Sequence, residues 1–181
     1  MIAQQTEAPK TLLRDSRTVL IRPLGEGDYA ALLAFGAALP QDDLLYLEND
    51  FGNPDIIRRL VNASAAENWR QVVALADDGA IVGYSAVRRL SGWSSHVADI
   101  HLTVGDGWRR SGLGTALAQA IFDAARDLGV SKVIVEMMER QHAGRAIFER
   151  LGFRVEGSLS QHARDRHGQQ HNLLILAYHV T

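Results

Sequence analysis

Arg109, Gly112 and Gly114 stand in the stretch WRRSGLGT (108–115), just ahead of a run with helical periodicity. A helix N-terminus exposes unpaired N–H groups and carries partial positive charge, so it attracts anions. Glycines let an anion approach the backbone closely, and Arg109 and Arg110 add charge-assisted hydrogen bonds. Arg109-x-x-Gly112-x-Gly114 therefore reads as a cradle for a pyrophosphate, with a simple tight turn as the plainer alternative. The Walker pattern is absent, because no Gly-Lys-Ser/Thr follows. A dinucleotide fingerprint fits worse. Its third glycine position holds Leu117, and residues 105–111 make too long a connection between strand and helix.

A second group of residues could move protons. Asp99 and His101 alternate in HVADIHLTV (96–104), so their side chains share one face of a strand, while Ile100, Leu102 and Val104 share the other. A carboxylate or an imidazole there could act as a general base, or could simply be a solvated, ion-paired face. The sequence leaves open which face meets a substrate, since one bulge reverses it. His162, His167 and His171 flank a glycine-containing hairpin tip, and the chain has no cysteine. No metal site is expected from them.

These groups need elements to position them. TVLIRPL (18–24) reads as a strand stopped by Pro23 and Gly25, and GEGDYAALLAFGAAL (25–39) as a helix. Pro40 opens a short second helix through Tyr46, and NPDIIRRLVNASAAE (53–67) a third, capped by Asn53 with Pro54 at its first position. RQVVALAD and AIVGYSAVRRL are strands joined by Asp77-Asp78-Gly79, a strong hairpin signal. HVADIHLTV follows as the fourth strand. The helix after the glycines carries Leu113, Leu117, Ile121, Ala124 and Leu128 on one face and ends at Gly129. KVIVEMM (132–138) is the fifth strand, QHAGRAIFERLGF a helix ending at Gly152, and RVEGSL and NLLILAYHV the last strands around the tip ARDRHGQQH. This order gives a mixed sheet in an α/β domain.

The totals narrow the partners. The chain has 181 residues, 46% of them apolar, enough for one domain with a real core. Residues 1–16 read as a flexible N-terminal tail and 17–181 as a single domain. A net charge of −2 gives no strong pull towards nucleic acid or an anionic membrane. No long apolar run spans a bilayer, the N-terminus lacks a signal-peptide core, and the absence of cysteine excludes a disulfide scaffold and a thiolate nucleophile. A cytoplasmic protein is the expectation.

VGDGWRRSGLG (104–114) resembles the Arg/Gln-x-x-Gly-x-Gly/Ala motif of the GNAT superfamily of acyl-CoA-dependent N-acetyltransferases. QHAGRAIFERLGF (141–153) resembles that family's closing helix and Gly-Phe, and LIRPLGEGD its first strand and turn. The resemblance spans roughly residues 17–181. It implies a GNAT-like fold: a mixed, mostly antiparallel central sheet, splayed between the fourth and fifth strands and flanked by helices. It implies acetyl-CoA as co-substrate, with no metal. The pantetheine arm would pair with backbone groups near Leu102 and Val104. The pyrophosphate would lie on Arg109, Arg110, Ser111, Gly112, Leu113, Gly114 and Thr115, and Gln141, Arg145 and Phe148 would face the coenzyme. A carboxylate base is often placed on the fourth strand, which favours Asp99, then His101. Tyr46 and Glu48 fall where the acceptor pocket is often shaped.

The chain departs from the family at Asp106, where proline is frequent, at Gln141, where asparagine is, and at Phe148, where a tyrosine often protonates the leaving thiolate. The implied function is acetyl transfer to a primary amine of a small molecule or amino acid by direct attack. A protein N-terminus or lysine is the alternative acceptor, and an acyl-CoA-binding sensor with little turnover the alternative class, kept open by Phe148. The splayed sheet and terminal hairpin offer surfaces for a homodimer.

Overall fold

The computed structural model describes residues 9–40, 49–165 and 167–181. Among the described residues eight strands form one sheet: β1 (Thr11–Leu12), β2 (Thr18–Pro23), β3 (Trp69–Leu75), β4 (Ile81–Arg89), β5 (Val97–Val104), β6 (Lys132–Met138), β7 (Arg154–Arg164) and β8 (Gln170–His179). The described α-helices are α1 (Tyr29–Ala38), α2 (Pro54–Asn62), α3 (Leu113–Arg126) and α4 (His142–Arg150). The sheet order is β1-β2-β3-β4-β5-β6-β8-β7. All neighbours are antiparallel except β5 and β6, which α3 joins as a crossover helix.

Local signals fix the element ends. Asn53 Oδ1 accepts from the Asp55 N–H at 2.9 Å, with Pro54 at the first helical position, as its spacing predicts. Asp28 precedes α1 and is bound by Arg22 at 2.7 and 2.8 Å and by the Gly25 N–H at 2.7 Å. Gly79 takes φ +82° in the β3–β4 turn, a left-handed conformation natural to glycine. The segment expected as a second helix, 40–46, lies almost wholly outside the described residues.

Two apolar clusters cover the two faces of the sheet. On one face α3 buries Leu113, Leu117, Ile121 and Phe122 against Val87, Ile100 and Val133, and α4 adds Phe148. On the other, Leu32 and Phe35 of α1 and Ile57 and Leu60 of α2 pack with Phe51, Val73, Tyr84 and Ala86.

Residues 9–16, read from the sequence as tail, are ordered. Thr11 and Leu12 pair with Val19 and Thr18, Leu13 is 5% exposed inside the core, and the Arg14 N–H donates to the Ser111 carbonyl at 3.0 Å. A two-residue strand is too short to show a period, and its burial depends on the distant loop it meets.

Candidate active site

The sheet opens in its middle. β5 and β6 pair only from Val97 with Lys132 to Ile100 with Val135, whereas β4 follows β5 to Val104 and β8 follows β6 to Met138. Beyond Ile100 and Val135 the two strands part, as expected for HVADIHLTV and KVIVEMM. The bonds from Leu90 N–H to Val97 O and from Gly105 N–H to Val82 O set the phase of the β4–β5 ladder. Odd-numbered residues of β5 turn their backbone groups to β4, and even-numbered ones turn theirs away. Past Ile100, the N–H and C=O groups of Leu102 and Val104 therefore face the gap.

The glycine loop stands at the mouth of that gap. A turn at Asp106–Trp108 leads to Arg109 and Arg110, and Gly112, at φ +92°, caps α3. Arg110 holds φ +60° without being glycine, a strained conformation that tends to mark functional loops. The Ser111 hydroxyl is buried and fully engaged, donating to the Trp108 carbonyl and accepting from the Leu113 N–H at 3.2 Å. It shapes the loop from inside. Leu113 is likewise buried, in the core. The N–H groups of Gly114 and Thr115, in the first turn of α3, have no intrahelical carbonyl to reach, and Thr115 is exposed. An anion fits there. The closeness of Gly114 serves packing as well: a Cβ on it would lie 3.1 Å from Ile147 Cδ1 and 3.7 Å from Val104 Cγ2.

Two contacts of Arg17 brace the loop from the N-terminal side, and a third holds Arg17 itself. Arg17 sits 3.9 Å over the Trp108 ring, donates to the Gly107 carbonyl at 3.0 Å, and pairs with Asp15 at 2.7 Å. Arg109 stands 3.6 Å from Asp106.

Across the gap, α4 offers less than its sequence implies. Gln141 Oε1 accepts from the Met138 N–H at 2.7 Å, which ties the side chain back to the end of β6. Arg145 pairs with Glu149 at 2.8 Å. Phe148 is 3% exposed and packs edge-on against Phe153 at 5.3 Å. Gln141 lies at the surface and Phe148 in the core.

Asp99 and His101 do share a face, and it is the one covered by α1 and α2. His101 lines a cavity with Asn49, Phe51, Trp69, Tyr84, Arg88 and neighbouring β-strand residues. Asp99 stands behind it, with Oδ2 3.1 Å from His101 Nε2 and Oδ1 buried without any hydrogen-bond partner. The cavity walls come from register: Trp69 opposite Arg88, Ala86 opposite His101, Tyr84 opposite Thr103. Arg88 lies over the Trp69 ring at 5.6 Å. Tyr84 is held by donating to Gln71 at 2.6 Å, which in turn donates to the Leu60 carbonyl at 2.8 Å. Sequence reading missed these wall residues, although period-2 alternation in the three strands carries them. Tyr46 and Glu48 lie outside the described residues. Among the described residues no three His, Asp or Glu side chains converge to hold a metal, and no helix is long and apolar enough to cross a membrane.

A family profile described as the acetyltransferase (GNAT) family matches residues 37–153. Among solved structures, the chain is similar to a GNAT-family acetyltransferase from Streptococcus pneumoniae, with a TM-score of 0.77 at 20% identity over 90% of this chain and 99% of that one. It is also similar to a putative acetyltransferase from Salmonella typhimurium solved with acetyl-CoA, with a TM-score of 0.77 at 19% identity over 90% and 94%. A ribosomal-protein-alanine N-acetyltransferase from Brucella melitensis gives 0.77 at 22% identity over 89% and 99%. No curated protein matches by sequence. At these identities the structural likeness speaks to the fold.

Proposed function

The chain belongs to the acetyltransferase (GNAT) family, and we propose that it moves the acetyl group of acetyl-CoA to the primary amine of a small molecule or amino acid. The observation that carries this reading is the opening of the sheet beside the glycine cradle. Strand pairing ends at Ile100 and Val135, and the first turn of α3 stands at the same mouth. An extended pantetheine arm would pair with the backbone of Leu102 and Val104 as an added strand does. Its pyrophosphate would take the N–H groups of Gly114 and Thr115 with help from Arg109 and Arg110. Acetyl-CoA supplies the activated thioester.

On the opposite face the amine must arrive neutral. For an amine with a pKa near 10.4, that costs roughly 4.6 kcal/mol at pH 7. His101, which lines the cavity, takes the amine proton as the C–N bond forms and the C–S bond breaks. Asp99 orients the imidazole and stabilises its charged form. This reverses the order of preference that the family resemblance suggests, because Asp99 stands behind His101. Phe148 offers no proton, so the thiolate leaves as such and takes one from water or from the His101 imidazolium, which then holds the amine's proton. A thiol pKa of about 8.5 makes it a tolerable leaving group. The aromatic walls of Phe51, Trp69 and Tyr84, with the Arg88 guanidinium, suit a compact amine that also carries an apolar or anionic part.

The test is release of free thiol from acetyl-CoA with a panel of amino acids, other small amines and peptides. Turnover with a small amine is the expected result. Turnover with peptides alone would move the acceptor to proteins. Acetyl-CoA binding without turnover on any acceptor would make the protein a sensor.

A further inference from the structure

We propose that Arg14, from the N-terminal hairpin, is a phosphate-binding residue of the coenzyme cradle. The inference rests on the acetyl-CoA reading above and adds a residue that the Arg-x-x-Gly-x-Gly motif does not contain.

Arg14 is placed by its backbone. Its N–H donates to the Ser111 carbonyl at 3.0 Å, and the neighbouring Leu13 is buried. Its side chain then lies along the residue that caps α3: a Cβ on Gly112 would stand 3.2 Å from Arg14 Nε and 3.4 Å from its Cγ. Gly112, already in a left-handed conformation, thus leaves room for this arginine. The three other arginines around the loop divide into two kinds. Arg17 and Arg109 each have a carboxylate, Asp15 and Asp106. Among the described residues, no hydrogen bond or ion pair engages the guanidinium of Arg14 or of Arg110. The one acid beside Arg14 in sequence, Asp15, is committed to Arg17 through two contacts, at 2.7 and 2.8 Å.

The electrostatics of that position are unfavourable without a ligand. A cation at a helix N-terminus opposes the helix dipole, where an anion would be favoured. A phosphate beside the first turn of α3 reverses the sign. It would accept from the N–H groups of Gly114 and Thr115 and from the Arg14 and Arg110 guanidiniums, whose planar forks match phosphate oxygens. Arg17 does a different task. It is spent on Asp15, Gly107 and Trp108 and holds the loop. Coenzyme A offers two targets of one chemistry, the pyrophosphate and the 3′-phosphate.

The experiment is calorimetric titration of the full chain and its Arg14→Gln and Arg14→Lys variants with CoA and with 3′-dephospho-CoA, at several salt concentrations. Arg14→Gln should weaken CoA binding by roughly tenfold or more, the scale of one hydrogen bond to a charged group. Its log Kd should depend less steeply on log salt, and Arg14→Lys should recover part of the loss. A loss seen with CoA but not with 3′-dephospho-CoA assigns the 3′-phosphate. Equal losses assign the pyrophosphate. Both support the proposal. Unchanged affinity overturns it, and so does a loss accompanied by a lowered melting temperature and an unchanged salt slope. A wild-type chain that binds neither ligand would overturn the acetyl-CoA reading itself, an outcome distinct from any of these.

Discussion

Asp99 Oδ2 lies 3.1 Å from His101 Nε2, two residues along one strand, while Asp99 Oδ1 is buried with nothing to accept from. An unsatisfied buried carboxylate oxygen costs about 1–3 kcal/mol. A fold that keeps one behind a residue of the cavity wall has given up stability for position. His101→Ala should therefore lower kcat by about 10²- to 10⁴-fold, the range of general-base loss, with the KM for acetyl-CoA unchanged. Asp99→Asn should lower kcat by a smaller factor and leave the melting temperature equal or higher. An unaltered kcat in His101→Ala would pass the proton to Asp99 or to water.

Gly114 and Ile147 give a second prediction. A methyl on Gly114 meets the flexible end of Ile147 at 3.1 Å, which can swing aside, and alanine favours the helix over glycine. Gly114→Ala should be tolerated. Gly114→Val adds two more carbons against α4 and Val104, and such overpacking costs about 1–3 kcal/mol. It should lower the melting temperature and weaken acetyl-CoA binding together, and Ile147→Ala should restore part of both. Full stability and full affinity in Gly114→Val would show that the helices are not in close contact there.

Arg22 and Asp28 set an acid-side dependence. The Arg22 guanidinium, followed by the Gly25 N–H, holds the Asp28 carboxyl below its ordinary value, against the opposing effect of burial. A carboxyl depressed in the fold contributes stability above its unfolded pKa, about 3.9. That contribution is lost as pH falls through the lower folded value. Asp15, Asp77, Glu156 and Asp165 are depressed as well, so the wild-type chain loses stability over the same window. Asp28→Asn should destabilise the protein by about 1–3 kcal/mol at pH 7, and its deficit should shrink as pH drops below about 4. Thermal melts of both chains from pH 7 to 3 measure this. A constant deficit would mean that the pair does not titrate with folding.

The glycine turn ahead of α3 and the order of the described strands and helices were legible because they are local. A period of two or 3.6, an Asp-Gly turn, or a cap at Asn53 needs only neighbours in the chain. The parting of HVADIHLTV from KVIVEMM came from the resemblance, and the register of the two strands bears it out. The cavity was not legible. Trp69, Arg88 and His101 meet only through cross-strand register, and nothing within HVADIHLTV says which helices cover which face. The bracing hairpin was hidden for a different reason: Thr11–Leu12 is a two-residue strand paired to Val19 and Thr18, and the Arg14 N–H just beyond it is held by the carbonyl of Ser111, far away in the chain.

The early end of the β5–β6 ladder also bears on self-association. Exposed strand edges with unpaired N–H and C=O groups invite other chains to add on, the usual route to aggregation. Here the open edge at Leu102 and Val104 is an interior notch, walled by β4 and by the β6–β8 pair. What pairs there must be extended like a single strand, because both sides of the notch are themselves strands. The unpaired groups thus lie inside the sheet, between two paired strands, and not along its outer strands β1 and β7.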